Sequence, residues 1–222
     1  MNRVVFILFC FVCFHSYAQR DVRMYIDKGN ALYAKQDFRS AAVTYKHACM
    51  LDSVNFDAWY NFGNALYKLE KYILAGDAYN KALQLTSDSK LQAQTLYNVG
   101  NAYLKQDDFE NAIEAYTKSL LLNPAQPDCR YNLSYALKLQ ELQQKDKNNS
   151  KNNQNKQKNP QISEFAQQCK AQADTLVAQY KFSEAYDVMK QGLAKDKTVA
   201  EYSDFIQRLQ KISEILENKS KP

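Results

Sequence analysis

Proline and glycine are scarce in this chain, and histidine is nearly absent. The first of four prolines is Pro124, so residues 1–123 contain none. A proline-free stretch of that length, with no strict alternation of apolar and polar positions, excludes a chain of short strands and tight turns. It leaves long helices. The five glycines, at 29, 63, 76, 100 and 192, are too dispersed for a phosphate-cradling loop. The two histidines, His15 and His47, are too few for a multi-histidine metal site and do not sit in a nucleophile–base arrangement. His47 and Cys49 are two apart on an expected helix and point about 200° away from each other. Catalytic residues, metal ligands and cofactor-binding residues are therefore expected to be absent.

Charge of one sign is also missing. There are 29 basic and 24 acidic residues, and the segment 145–160 alone holds five Lys and one Asp. With that segment and Arg3 set aside the signs balance, so there is no broad basic face for nucleic acid. One long apolar run exists, Val4–Phe14, preceded by Arg3 and followed by Ser16-Tyr17-Ala18. A short apolar run behind a cation and ahead of small residues has the layout of a secretory signal peptide and is too short to span a bilayer. Residues 1–18 are read as that leader, with the mature chain starting at Gln19, exported and most simply periplasmic. Cys10 and Cys13 follow the bulky Phe9 and Val12, where a lipoprotein signal wants a small residue. The mature chain has no membrane span. It keeps Cys49, Cys129 and Cys169, an odd number, read as buried apolar residues with a thiol redox sensor as the rival.

What the chain does have is a period. Gly-Asn-Ala occurs at 29–31, 63–65 and 100–102, each time with an aromatic nine residues after the glycine: Phe38, Tyr72 and Phe109. A repeat of this length marks stacked helix–turn–helix units. With the glycine at position eight, repeats start at Val22, Phe56, Ala93 and Pro127. Position twenty is Ala41, Ala75 and Ala112. Position twenty-four is Tyr45, Tyr79 and Tyr116. Position twenty-seven is Ala48, Ala82 and Ser119. Small residues let two helices cross closely while large ones fill the grooves beside them. Three extra residues near 87–91 predict one added turn on the third helix A, capped by Ser87 or Ser89.

Residues 19–144 thus read as three repeats plus a capping helix that starts at Pro127. The segment 145–160, rich in Lys, Asn and Gln, reads as a disordered linker. Residues 161–222 read as a degraded repeat, with Ala173, Ala185, Met189 and Gly192 at positions eight, twenty, twenty-four and twenty-seven, plus a final amphipathic helix. Thr198 and Glu201 form a candidate capping box for that helix. It docks on the first array or on a partner. The fold class is all-α, a solenoid of antiparallel helix pairs.

The pattern resembles the tetratricopeptide repeat (TPR) family, and residues 59–67, Trp-Tyr-Asn-Phe-Gly-Asn-Ala-Leu-Tyr, lie close to its helix A consensus. The resemblance implies a non-enzymatic interaction scaffold that binds a protein or peptide along helix A, at positions five, nine and twelve. Steps of four and three share one helix face. The groove residues are then Asn30, Tyr33, Tyr60, Asn64, Tyr67, Tyr97, Asn101 and Tyr131. Repeats of this family that grip a chaperone's terminal carboxylate need cations at three places, and Ile26, Gln94 and Asn98 stand there instead, so that clamp is not expected. The leader, the three repeats, the ending Arg130-Tyr-Asn-Leu-Ser-Tyr-Ala-Leu137 and the tail after it resemble the TPR proteins of bacterial Bat (aerotolerance) operons. That likeness implies a periplasmic complex with von Willebrand A-type membrane proteins and a role in oxidative-stress tolerance. An envelope-assembly adaptor is the alternative within the same class.

Overall fold

The computed structural model describes residues 21–152 and 162–217. The leader and mature start expected at 1–19, and the linker residues from 153 on, lie outside the described residues. Among the described residues the secondary structure is helical throughout. The elements are α1 (21–34), α2 (Phe38–Leu51), α3 (Phe56–Lys68), α4 (Tyr72–Leu83), α5 (Ser89–Leu104), α6 (Phe109–Leu122), α7 (Pro127–Asn152), α8 (Glu164–Ala178), α9 (Phe182–Lys195) and α10 (Ser203–Glu217). A 3₁₀ segment, Lys197–Tyr202, precedes α10. The chain divides into two compact units, one ending at Gln106 and the next beginning at Asp107.

In the first unit each helix packs on the next, from α2 through α5, and α1 joins through Val22, Tyr25 and Ile26 against Ala48, Cys49 and Ala58. The small crossing residues Ala41, Ala48, Ala75 and Ala82 are all fully buried. Helix A ends the same way in every repeat. Gln36, Glu70 and Asp107, each at position fifteen, have φ of 61°, 59° and 56°. At the second of these turns the Glu70 and Lys71 N–H groups donate back to the carbonyls of Tyr67 and Leu66, which closes the helix in a Schellman arrangement. α5 has 16 residues against 13 in α3, the added turn that the 37-residue step predicts. Its cap is Asp88, whose carboxylate accepts from the Lys90 and Leu91 N–H groups, and not Ser87 or Ser89.

In the second unit α6 packs on α7, α8 on α9, and α10 on both α9 and α6. The final helices therefore dock on helix B of the third repeat, and Phe205, Ile206, Leu209 and Ile212 bury the stripe the sequence shows. Tyr180, with φ of 64°, stands at position fifteen of the degraded repeat and repeats the helix-ending turn. Two boundaries differ from expectation. α7 runs on to Asn152, so residues 145–152 are helical rather than linker, helped at the outset by the Lys145–Glu141 pair at 2.8 Å one turn back. Thr198 does not cap α10. It lies in the 3₁₀ segment, where its hydroxyl donates to Asp196 at 2.8 Å and its backbone N–H is capped by the same carboxylate. The Ser163 hydroxyl also donates to Asp196, which ties the start of α8 to this turn.

Two glycines give opposite expectations. A Cβ at Gly63 would stand 2.6 Å from the Tyr79 ring, whereas one at Gly76 would meet only the Ala102 methyl at 3.9 Å. Alanine gains up to about 1 kcal/mol of helix propensity at either site. Overpacking against a ring that is 2% exposed costs about 1–3 kcal/mol. In chemical denaturation, Gly76→Ala is expected to raise the midpoint and Gly63→Ala to lower it.

Candidate functional site

The expected groove residues of the first unit lie on α1, α3 and α5, and they are organised by tyrosines from helix B. The Tyr45 hydroxyl donates to Asn30 Oδ1 at 2.7 Å, and the Tyr79 hydroxyl donates to Asn64 Oδ1 at 2.9 Å. In both pairs the partners are fifteen residues apart, at positions nine and twenty-four of the same repeat. Each ring lies against the glycine that precedes its asparagine: the Tyr45 ring would be within 2.4 Å of a Cβ at Gly29. Gly-Asn is thus a two-residue seat for one tyrosine. The missing Cβ admits the ring and the amide receives the hydroxyl.

The amides also join one helix A to the next. Asn61 donates to Asn30 Oδ1 and Asn64 donates to Asn61 Oδ1, both at 3.4 Å. Asn98 donates to Asn64 Oδ1 at 3.4 Å and to the Tyr60 hydroxyl at 3.0 Å. The face is therefore a connected ladder of amides and phenols. Asn61 and Asn98, at position six, belong to it although the groove rule of five, nine and twelve leaves them out. Their recurrence at the same repeat position is the sequence feature that marks them. Tyr60 stacks on Phe56 and leans on Tyr79, and Tyr67 meets Tyr72 edge-on. Tyr33, Tyr60, Tyr67 and Tyr97 are half-buried, so each keeps a surface toward solvent. Two shallow hollows of about 200 and 190 Å³ open on this face, one beside Tyr67, Asn98 and Asn101 and the other beside Asn30, Tyr33 and Asn61. Tyr131 is not among them. It lies on α7 in the second unit, 59% exposed.

Burial sets the ionisation of this face. Desolvation pushes the Tyr45 phenol up to about 12 and raises Tyr33, Tyr60, Tyr67 and Tyr79 as well. The phenols remain protonated donors at neutral pH. Cys49, Cys129 and Cys169 are buried and unpaired with one another. Burial pushes the Cys49 and Cys129 thiols up to about 12, away from the accessible thiolate that a thiol sensor uses. No cluster of three or more His, Cys, Asp or Glu suited to a metal occurs among the described residues, and no helix among them is long and apolar enough to cross a membrane. His47 is exposed and meets the Tyr25 ring edge-on.

The tyrosine seat can be tested by a double-mutant cycle. Asn64→Ala strands the buried Tyr79 hydroxyl and is expected to cost about 1–3 kcal/mol. Adding Tyr79→Phe should recover part of that loss, because the stranded hydroxyl is then gone. Additive losses would show that the bond carries no coupling. The pH dependence has a definite sign. A phenol raised on folding stabilises fully below its unfolded value near 10 and loses that contribution as pH climbs toward about 12. Thermal melts of Tyr45→Phe should accordingly fall less steeply than wild type across that alkaline window.

Residues 55–122 match the family model described as tetratricopeptide repeat, and residues 29–70 match that described as TPR repeat. No curated protein matches the chain. Among solved structures, the second TPR domain of human RPAP3, in complex with an HSP70 peptide, is 21% identical with a TM-score of 0.51, over 54% of this chain and 97% of that one. MamA (41-end) from Desulfovibrio magneticus RS-1 is 18% identical with a TM-score of 0.52, over 77% of this chain and 76% of that one. Identities this low speak to the fold alone. Together with the helix pairs, the buried alanines and the seated tyrosines, the two family matches identify residues 29–122 as tetratricopeptide repeats.

Proposed function

We propose that this chain is an exported, non-enzymatic scaffold whose first unit binds a peptide segment of a partner protein along α1, α3 and α5. The observation that carries the reading is the connected amide–phenol face. Its tyrosines are half-buried and its hydroxyls protonated. Asparagine amides match the donors and acceptors of a peptide backbone, and tyrosine buries apolar area while keeping a polar tip. The cation positions of a carboxylate clamp hold Ile26, Gln94 and Asn98, so the partner segment is read internally rather than by a free C-terminus. The RPAP3 relative carries a chaperone peptide in its own repeats, which is consistent with the class of ligand and not with the same clamp.

The finer form of the proposal places the chain in the periplasm, beside von Willebrand A-type membrane proteins in a Bat-type complex. Support comes from the Arg3, Val4–Phe14 and Ala18 layout and from the ending at residues 130–137.

Affinity capture from a membrane extract tests the binding face. Tyr60→Ala with Tyr97→Ala, in a protein whose helical content is unchanged, is expected to lose the principal partner. A tyrosine anchor is worth about 2 kcal/mol or more, roughly thirtyfold in affinity for each. An unchanged set of captured proteins overturns the proposal.

A further inference from the structure

The second unit consists of two tightly packed groups of helices. In the first, α6 packs on α7, and the Cys129 thiol donates to the Tyr116 carbonyl at 3.5 Å. In the second, α9 packs on both α8 and α10. A Cβ at Gly192 would stand 2.9 Å from Cys169 Sγ, and the Ser213 and Ser183 hydroxyls meet at 3.0 Å. Ser163 and Thr198 both donate to Asp196, which binds the start of α8 to the turn before α10.

The seam between the two groups is joined differently. Clefts of about 580, 360 and 220 Å³ lie along it. The first is walled by α7 against α8 and α10, and the second by α6 and α7 against α10. The third is walled by α6 and the start of α7 against α9 and α10. Close packing leaves few gaps larger than a water molecule, so a seam that holds three clefts is loosely fitted. Polar ties cross it at separate points. Lys170 reaches Glu141 at 2.9 Å, the Ser134 hydroxyl donates to the Val177 carbonyl at 2.9 Å, and the Arg130 guanidinium lies 5.7 Å from the Tyr180 ring centroid.

Unbonded polar atoms collect on the same seam. Among the described residues, two buried side-chain atoms lack a hydrogen-bond partner, Gln140 Oε1 and Arg208 Nε, and both residues line the second cleft. A buried donor or acceptor without a partner penalises the state that buries it. Burial also pulls the Arg208 guanidinium down from its ordinary value, against the attraction of Asp204, Glu141 and Glu110. The closed seam disfavours a charge that an open one returns to water. From this arrangement we infer that α8, α9 and α10 open away from α6 and α7 as one body, with every helix intact. Such a motion is a hinge or shear between packed elements. The closed form covers the α6 face at Ile113 and Thr117, and the open form presents it.

Two neighbouring residues provide the test. Cys169, 8% exposed, is held inside the α8–α9 pair against Gly192. Lys170, 6% exposed, has its ammonium on the seam at Glu141. Opening as one body uncovers Lys170 alone, whereas unfolding of α8 uncovers both. On the full chain, mass spectrometry follows acetylation of Lys170 by a succinimidyl acetate and alkylation of Cys169 by N-ethylmaleimide. Each rate is divided by its value in denaturant. Lys170 is expected to be at least about tenfold less protected than Cys169. Arg208→Met with Gln140→Leu removes the unbonded groups and should slow Lys170 by about threefold or more. Ser134→Ala removes a tie across the seam and should speed Lys170 by about threefold or more. Neither change should alter Cys169. Equal protection of the two residues, or a Lys170 rate indifferent to these substitutions, overturns the inference.

Discussion

The seating of a helix B tyrosine on a helix A Gly-Asn pair is the constraint on which the first unit depends. Two conditions must hold together. Position eight must lack a Cβ, because the ring occupies that space. Position nine must present an acceptor, because a buried phenol without a partner costs more than an ordinary hydrogen bond returns. The pairs Tyr45–Asn30 and Tyr79–Asn64 satisfy both. They fix the angle and depth of each helix pair, and the buried alanines beside them let the backbones approach.

That seat also limits what the exposed face is free to do. The oxygens of Asn30 and Asn64 are committed to tyrosines and to neighbouring amides before any guest arrives. Packing and recognition are therefore not alternative uses of these residues. The packing bonds hold the amides in one orientation, and a pre-ordered polar face loses less side-chain entropy when it binds. Tyr60 shows the same double role. Its hydroxyl receives Asn98 and its ring rests on Phe56 and Tyr79, yet part of it still faces outward.

The second unit keeps the repeat's turn and small residues while changing the large ones. Ala173 replaces glycine at position eight and Met189 replaces tyrosine at position twenty-four, and both are fully buried. With no ring to seat, the Cβ is tolerated. Room is left elsewhere: a Cβ at Gly192 would stand 2.9 Å from Cys169 Sγ, so here the glycine makes space for a thiol. The degraded repeat is a different solution to the same close crossing.

Most of the fold was legible from one dimension. Period, small crossing residues and the added turn of α5 follow from spacing, because helix geometry converts sequence steps directly into faces. Caps were less legible: Asp88 and Asp196 won over nearby hydroxyls, since a carboxylate makes the stronger charge-assisted bond to backbone N–H groups. The helical run of α7 to Asn152 escaped a reading based on composition, which weighs the absence of apolar residues above helical continuity from a strong start. Spacing alone put Tyr60, Asn64 and Tyr67 on one helix face; it did not show that Asn61 and Asn98 bond to that face, and it grouped Tyr131, of the second unit, with residues of the first. The sequence by itself determined which residues share a helix face and which must be small, because those depend only on local periodicity. Tertiary structure decided which amide meets which phenol and where an open cleft remains, because those depend on how separate helices cross.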